Sequence, residues 1–244
     1  MIVLGLDTAT AATTVGLRLA DGALLERRDD PSAGAHPGHA TRLLAMAAEL
    51  LADAGLSWQQ IERIAVGLGP GTFTGLRVGV ATARGLAHSR GIELVGVSSL
   101  RALAQRGLAD VSGPARPDAV LAVIDARRGE VFAAAYRRGP TGLPSELTGA
   151  IALAPEGVAE LVAGERERGR WLLVGDGAER YRELLTAAGL ELAPAGSPLH
   201  LVSAEAICVL GADAAVLPGA GGPLPDYVRR SDAELALEGV EAPS

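Results

Sequence analysis

The pattern of hydrophobic and polar residues in the first half of the chain indicates strands and helices that follow one another closely. Apolar runs and period-two alternation predict strands, whereas apolar residues at spacings of three and four predict helices. Asp21-Gly22 lies between two strand patterns and predicts a hairpin, and Gly55 ends the first helical pattern. The predicted strands are residues 2–6, 14–19, 23–28, 64–68 and 92–97, and the predicted helices are residues 39–54, 72–87 and 98–105.

The second half begins after a Gly- and Pro-rich segment at residues 112–117. Its first two strands are joined through residues 125–129, and we expect its last helix to pack back on the first half. The predicted strands are residues 119–124, 130–136 and 171–174, and the predicted helices are residues 155–163, 177–188 and 204–215.

This order of elements predicts the fold class. Three antiparallel strands followed by strand–helix–strand crossovers give an α/β protein with mixed sheets flanked by helices. We expect an N-terminal lobe at residues 1–111, completed by a helix at residues 203–216, and a smaller C-terminal lobe at residues 112–202. Residues 217–244 are rich in Gly, Pro and acidic residues and are expected to form a partly mobile tail.

A glycine-rich block at residues 67–79 carries the most information in the chain. It lies between a predicted strand and a predicted helix, and Gly69-Pro70-Gly71 supplies backbone angles for a sharp turn. Thr72 or Thr74 would cap the helix by accepting a hydrogen bond from a first-turn N–H.

Small residues repeat every four positions along this helix, at Gly75, Gly79, Ala83 and Ala87. Glycine inside a helix costs about 1 kcal/mol relative to alanine, so this ridge is expected to lie against another backbone. It could pack closely within the fold, or it could form a flat surface for a partner's helix. The helix at residues 39–54 is apolar over a broad arc, which leaves some of its residues for a partner.

Composition excludes several classes of protein. The 22 basic residues are all arginine, since the chain has no lysine, which excludes the lysines of P-loops, kinases and Schiff bases. The glycine spacing matches neither phosphate-binding fingerprint, and the net charge of −7 argues against a free-standing nucleic-acid binder. The lone Cys208 lies in an apolar helical segment and is expected to be a buried small hydrophobe. No apolar run approaches about 18 residues and no signal segment is evident, so a cytoplasmic protein is expected.

Five blocks of the sequence, spread in order over nearly the whole chain, resemble the bacterial TsaB (YeaZ) family. The glycine-rich block is the most distinctive of them. The blocks are Met1-Ile2-Val3-Leu4-Gly5-Leu6-Asp7-Thr8-Ala9-Thr10, residues 69–79, Asp125-Ala126-Arg127-Arg128-Gly129-Glu130-Val131-Phe132, Val174-Gly175-Asp176-Gly177-Ala178 and Pro225-Asp226-Tyr227-Val228-Arg229-Arg230.

The resemblance implies an actin-like or Hsp70-like ATPase (ASKHA) fold with two lobes. It also implies a role in making N6-threonylcarbamoyladenosine beside the tRNA anticodon, as a non-catalytic subunit. The implied partners are the paralogue TsaD, which holds the metal and the threonylcarbamoyl-adenylate, and the ATPase TsaE. ATP and metal are thus expected on the partner subunits, with no firmly bound cofactor, catalytic residue or metal ligand on this chain. Contact with tRNA is expected only through the complex.

The resemblance further implies that the helices at residues 39–54 and 72–87 pack against the equivalent pair of TsaD as a four-helix bundle. The same surface could also pair with itself, giving a homodimer. The expected interface residues are Leu43, Ala47, Leu50, Leu51, Gly75, Leu76, Gly79, Val80, Ala83 and Ala87.

Two other functions remain open. Asp7 and Thr8 occupy the place of the first phosphate loop of actin-like ATPases, which leaves weak nucleotide binding and an active ATPase or small-molecule kinase as an alternative. Ala9 stands near the expected glycine, and its Cβ would crowd a phosphate, so Asp7 and Thr8 could instead close the loop by bonding backbone groups. A metallopeptidase is less supported, because the H-x-x-H pair of His36 and His39 lacks a third ligand. Capping of the following helix by His39 or its neighbours fits that pair better.

Two arginine clusters also have two interpretations. Arg127-Arg128 and Arg166-x-Arg168-x-Arg170 could hold tRNA phosphates, but glutamates interrupt the second cluster. A solvated charged face accounts for both more simply.

Overall fold

A computed structural model describes residues 1–32, 35–109, 116–215 and 223–228 of the chain, except for the side chain of Arg166. The proposed boundary at residues 112–117 and the proposed tail at residues 217–244 therefore lie largely outside the described residues.

The described residues form ten strands and six α-helices. The strands are β1 (Val3–Asp7), β2 (Thr13–Arg18), β3 (Leu24–Asp29), β4 (Arg63–Gly67), β5 (Glu93–Val97), β6 (Ala119–Arg127), β7 (Glu130–Arg138), β8 (Pro144–Glu146), β9 (Ile151–Leu153) and β10 (Trp171–Val174). The helices are α1 (His39–Asp53), α2 (Phe73–Arg90), α3 (Ser99–Ala109), α4 (Asp176–Arg180), α5 (Arg182–Ala187) and α6 (Ala204–Asp213).

Most predicted elements are present, and the exceptions lie in the second half. Strands β8 and β9 have three residues each, too few for a periodic pattern to show. The segment Pro155–Val162 is a 3-10 helix rather than an α-helix. The helix predicted at residues 177–188 is divided at Tyr181, which ends α4 and begins α5 with non-helical backbone angles.

The described residues divide into two compact units. The first comprises Met1–Ala102 and Val202–Pro225, and the second comprises Leu103–Leu201 with residues 226–228. The division falls inside α3. No helix among the described residues is both long enough and apolar enough to cross a membrane.

The first unit is built on a five-stranded mixed sheet of order β3-β2-β1-β4-β5. Neighbours in β3-β2-β1 are antiparallel, and those in β1-β4-β5 are parallel. Leu4 and Leu6 of β1, with Val15 and Leu17 of β2, join the α1 and α2 side chains in one buried cluster. The alternate residues of β1 and β2 therefore face the opposite side of the sheet, where α6 packs.

Two glycines of this sheet let α6 pack directly on the sheet backbone. Gly5 and Gly16 are cross-strand partners in β1 and β2. A Cβ at Gly5 would lie 2.6 Å from Cys208 Sγ, and one at Gly16 would lie 2.6 Å from the backbone of Ala204. Side chains at either glycine would therefore push α6 away from the sheet.

Charged side chains hold both ends of α6. At its start, the Glu26 carboxylate accepts hydrogen bonds from Ser203 Oγ at 2.7 Å and from the Ala204 N–H at 3.3 Å. At its end, the Arg63 guanidinium donates to three backbone carbonyls. Those carbonyls belong to Gly211, Ala212 and Ala214, at 2.9, 3.2 and 3.0 Å.

The second unit has a five-stranded sheet of order β10-β6-β7-β8, with β9 also paired to β7. β6 and β7 form a long antiparallel hairpin, and β10 is parallel to β6. Each unit thus contains an antiparallel pair extended by a parallel strand. The expected fold class, α/β with a mixed sheet and flanking helices in each lobe, is confirmed.

We expect Gly16→Ala to lower the free energy of unfolding by about 1–3 kcal/mol, the usual cost of overpacking, because backbone atoms of α6 cannot move aside separately. Gly85→Ala is the matched control. Gly85 is an exposed residue of α2, and a Cβ added there would have no other atom within 4 Å, so alanine should stabilise the chain by about 0.5–1 kcal/mol. Urea denaturation of both variants tests the contact, and effects of the same sign would contradict it.

Candidate functional site

Asp7, at the carboxyl end of β1, is sealed inside the first unit. Its Oδ1 accepts a hydrogen bond from the Ala9 N–H at 2.9 Å, and its Oδ2 accepts one from Ser99 Oγ at 2.6 Å. Only 1% of the residue is exposed, and burial raises the pKa of the carboxyl although both hydrogen bonds act to lower it. Gly67 makes room for it, since a Cβ there would lie 1.8 Å from Asp7 Oδ2.

Helix α2 packs directly against Thr8. Its hydroxyl donates to the Gly75 carbonyl at 2.7 Å. A Cβ at Gly75 would lie 2.1 Å from the Thr8 carbonyl oxygen, and one at Gly79 would lie 2.3 Å from Thr8 Oγ1. The start of the small-residue ridge of α2 is therefore explained by contact within the chain.

The turn before α2 is held by the main chain of Ala9. The Thr72 N–H donates to the Ala9 carbonyl at 2.7 Å, and a Cβ at Gly71 would lie 2.2 Å from the same oxygen. Thr72 is the N-cap residue of α2, but its hydroxyl makes no capping hydrogen bond. The predicted cap by the side chain of Thr72 or Thr74 is wrong, because the backbone contact with Ala9 holds this turn instead.

His39 bonds to a strand and does not cap a helix. The N-cap of α1 is Gly38, which has no side-chain cap, and His39 Nδ1 lies 2.9 Å from Thr13 Oγ1. Burial lowers the pKa of His39, so the neutral imidazole is favoured. His36 is exposed. Among the described residues, no three His, Cys, Asp or Glu side chains are grouped so that they could hold a metal ion.

The residues expected at a partner interface are placed in the core of the first unit. Their side chains or backbones are buried against the sheet and each other, so a partner cannot reach them without repacking the unit. These residues are Leu43, Ala47, Leu50, Leu51, Gly75, Leu76, Gly79, Val80, Ala83 and Ala87. The outer sides of the same helices carry Leu44, which is 48% exposed, and Phe73, which is 40% exposed.

The second unit contains a cluster of ionisable side chains at the tip of the β6–β7 hairpin. Asp176 Oδ1 accepts a hydrogen bond from the Asp125 N–H at 3.1 Å. Asp125 Oδ2 lies 3.3 Å from Arg127 and 3.2 Å from Arg180. Burial, with a smaller contribution from the Asp125 charge, raises the pKa of Asp176 to about 6.

Other charged and reactive groups have structural partners. Arg168 pairs with Glu165 at 2.6 Å, and Arg170 pairs with Glu191, which supports a solvated charged face for that cluster. Cys208 is buried, as predicted, and burial raises the pKa of its thiol. Sequence reasoning missed Ser99 and Thr13, because neither lies in a local pattern that indicates the distant carboxyl or imidazole it contacts.

The two sheets, with the β1–β2 loop and the β6–β7 hairpin at corresponding places, define the class of protein. The chain is an α/β protein with two mixed sheets flanked by helices, the arrangement expected of an actin-like fold.

Comparisons with known proteins identify the family to which the chain belongs. A family model described as "TsaD: tRNA N6-adenosine threonylcarbamoyltransferase" matches residues 31–169. The tRNA threonylcarbamoyladenosine biosynthesis protein TsaB of Escherichia coli (strain K12) is 37% identical over 198 residues, which cover 79% of this chain and 78% of that protein. The chain belongs to the TsaB (YeaZ) family of tRNA threonylcarbamoyladenosine biosynthesis proteins.

Two solved structures have the same fold over nearly their full length. One is an uncharacterized protein with similarity to peptidase YeaZ from Pseudomonas aeruginosa, with a TM-score of 0.74, 30% identity and coverage of 93% of this chain and 99% of that chain. The other is YeaZ from Pseudomonas aeruginosa, with a TM-score of 0.70, 31% identity and coverage of 87% and 91%.

The raised pKa of Asp176 predicts that the stability of the protein depends on pH. Its folded pKa of about 6 lies above the ordinary value of about 3.9, so its contribution to stability is complete below about pH 4 and is lost as the pH rises through 6. Two pKa units correspond to about 3 kcal/mol.

We therefore expect the stability of the wild type minus that of Asp176→Asn to fall by about 2 kcal/mol, most of that amount, between pH 4 and pH 7, measured by urea denaturation. Asp21→Asn, at an exposed turn, controls for the general loss of a carboxylate. A difference that does not change with pH would contradict the assignment.

Proposed function

We propose that this chain is a non-catalytic subunit that docks on a TsaD-type protein and supports the synthesis of N6-threonylcarbamoyladenosine in tRNA. Family membership supports the process, since the E. coli relative carries that name. The match of residues 31–169 to a TsaD model supports a partner of the same fold, because related folds often associate through equivalent surfaces.

The β1–β2 loop supports the non-catalytic part of the proposal. Both oxygens of Asp7 are bonded within the unit, and burial raises the pKa of its carboxyl, which suits it poorly to order water around Mg²⁺. The Ala9 N–H and carbonyl are both engaged by the chain itself. ATP and metal chemistry would then take place on the partner subunits, with a TsaE-type ATPase completing the assembly.

The exposed apolar residues on the outer sides of α1 and α2 support docking on a TsaD-type protein. They are the observation that carries the proposal. Leu44, Ala48 and Ala52 lie at four-residue intervals along α1 and are exposed, as are Phe73 and Ala81 on α2. Large apolar side chains among small ones suit close packing of helices. Such a surface fits a standard interface of about 800 Å² on each partner. In the absence of that partner, the same surface could serve a homodimer.

Leu44→Arg should weaken binding to the TsaD-type paralogue from the same cell by about 30-fold or more, the range for a central interface residue. Its melting temperature should stay close to that of the wild type, because Leu44 is half exposed in the free chain. Titration calorimetry measures the affinity.

The matched control is Leu147→Arg, which adds the same charge at a 39% exposed leucine of the second unit. It should bind the partner as the wild type does. Equal affinities for all three proteins would overturn the proposed docking surface.

A further inference from the structure

The β6–β7 hairpin presents two arginines in a backbone conformation that disfavours them. Arg127 has φ of 64° and Arg128 has φ of 53°, followed by Gly129 at 78°. Left-handed angles are costly for any residue with a Cβ, and glycine or asparagine is usual at such turns. Residues held in this way tend to occur where a side chain serves a function.

Two of the arginines at this tip have the same partner. Arg127 and Arg180 share the single carboxylate of Asp125. The Asp125 side chain is only 7% exposed, whereas those of the two arginines are 56% and 53% exposed. One carboxylate cannot occupy the five N–H donors that each guanidinium offers, so outward-facing donors remain for a ligand.

Arg170, in the other arginine cluster of this unit, differs. Two of its guanidinium nitrogens bond to Glu191, whereas Arg168 shares Glu165 with Arg137. Because the Glu191 carboxylate neutralises Arg170, that residue offers little attraction to an anion.

We propose that the tip of the β6–β7 hairpin, through Arg127, Arg128 and Arg180, binds the phosphodiester backbone of an RNA. Guanidinium groups match the geometry of phosphate oxygens. Contacts of this kind position a nucleic acid without reading its sequence. The inference rests on the proposed function only for the identity of the RNA, which is the tRNA that the partner complex modifies. It changes the expectation that this chain meets tRNA only through its partners.

The test compares tRNA affinity at salt concentrations from about 20 to 200 mM, for the free chain and for the chain mixed with its TsaD-type partner. The variants are Arg127→Gly and Arg128→Gly, which suit the backbone and should melt no lower than the wild type. Arg170→Ala removes the same charge where the Glu191 carboxylate already neutralises it and is the matched control.

Each hairpin variant should bind tRNA about fivefold more weakly, the effect of one phosphate contact, and lower the salt slope by about one. The control should match the wild type. Equal affinities for all variants at every salt concentration, or no tRNA binding by the free chain even at the lowest, would overturn the proposal. So would loss of ATP or inorganic phosphate binding in the hairpin variants with tRNA binding unchanged, which would assign the arginines to a small phosphate ligand.

Partner binding is measured on the same samples. If the hairpin variants still bind the TsaD-type protein but lose tRNA affinity, both proposals hold. The free chain could instead show tRNA binding that depends on the hairpin arginines, while neither the wild type nor any variant binds the partner. In that case the docking proposal fails and the hairpin proposal stands.

Discussion

The packing of the first unit depends on the close approach of helix backbones to both faces of its sheet. On one side α2 lies on Thr8, where Gly75 and Gly79 leave no room for a Cβ. On the other side α6 lies on the pair of Gly5 and Gly16. Any larger side chain at these four positions would separate a helix from the sheet, so the packing of this unit depends on glycine at each of them.

The same constraint accounts for the glycine-rich block without a bound phosphate. Glycines before a helix often allow backbone N–H groups to approach an anion. Here Gly71 and Gly75 allow the approach of the Ala9 and Thr8 carbonyls instead. These glycines are therefore required for packing within the unit.

Much of the architecture could be predicted from local patterns. The hairpin at Asp21-Gly22, the first helix ending before Gly55 and the mixed sheet all follow from periodicity and turn residues. Strands of three residues are too short for any periodic pattern to reveal. The long-range bonds of Ser99 to Asp7 and Thr13 to His39 depend on the tertiary fold, which no local pattern encodes.

The side of each helix that faces the core was the hardest feature to predict. Helix α1 is apolar over most of its circumference, so its pattern does not distinguish Leu43, which is buried, from Leu44, which is exposed. The small-residue ridge of α2 was equally ambiguous, because a close contact needs small residues whether it forms within one chain or between two. Only the position of Thr8 decides that Gly75 and Gly79 face inward.

We propose that this chain supports tRNA modification without catalysing it. The most direct test is a reconstituted threonylcarbamoyl-transfer reaction with the TsaD-type and TsaE-type partners from the same cell, run with and without this chain. We predict that modified adenosine forms only when the chain is present, and that the chain alone hydrolyses no ATP. Equal modification without the chain, or ATP turnover by the chain alone, would contradict the claim.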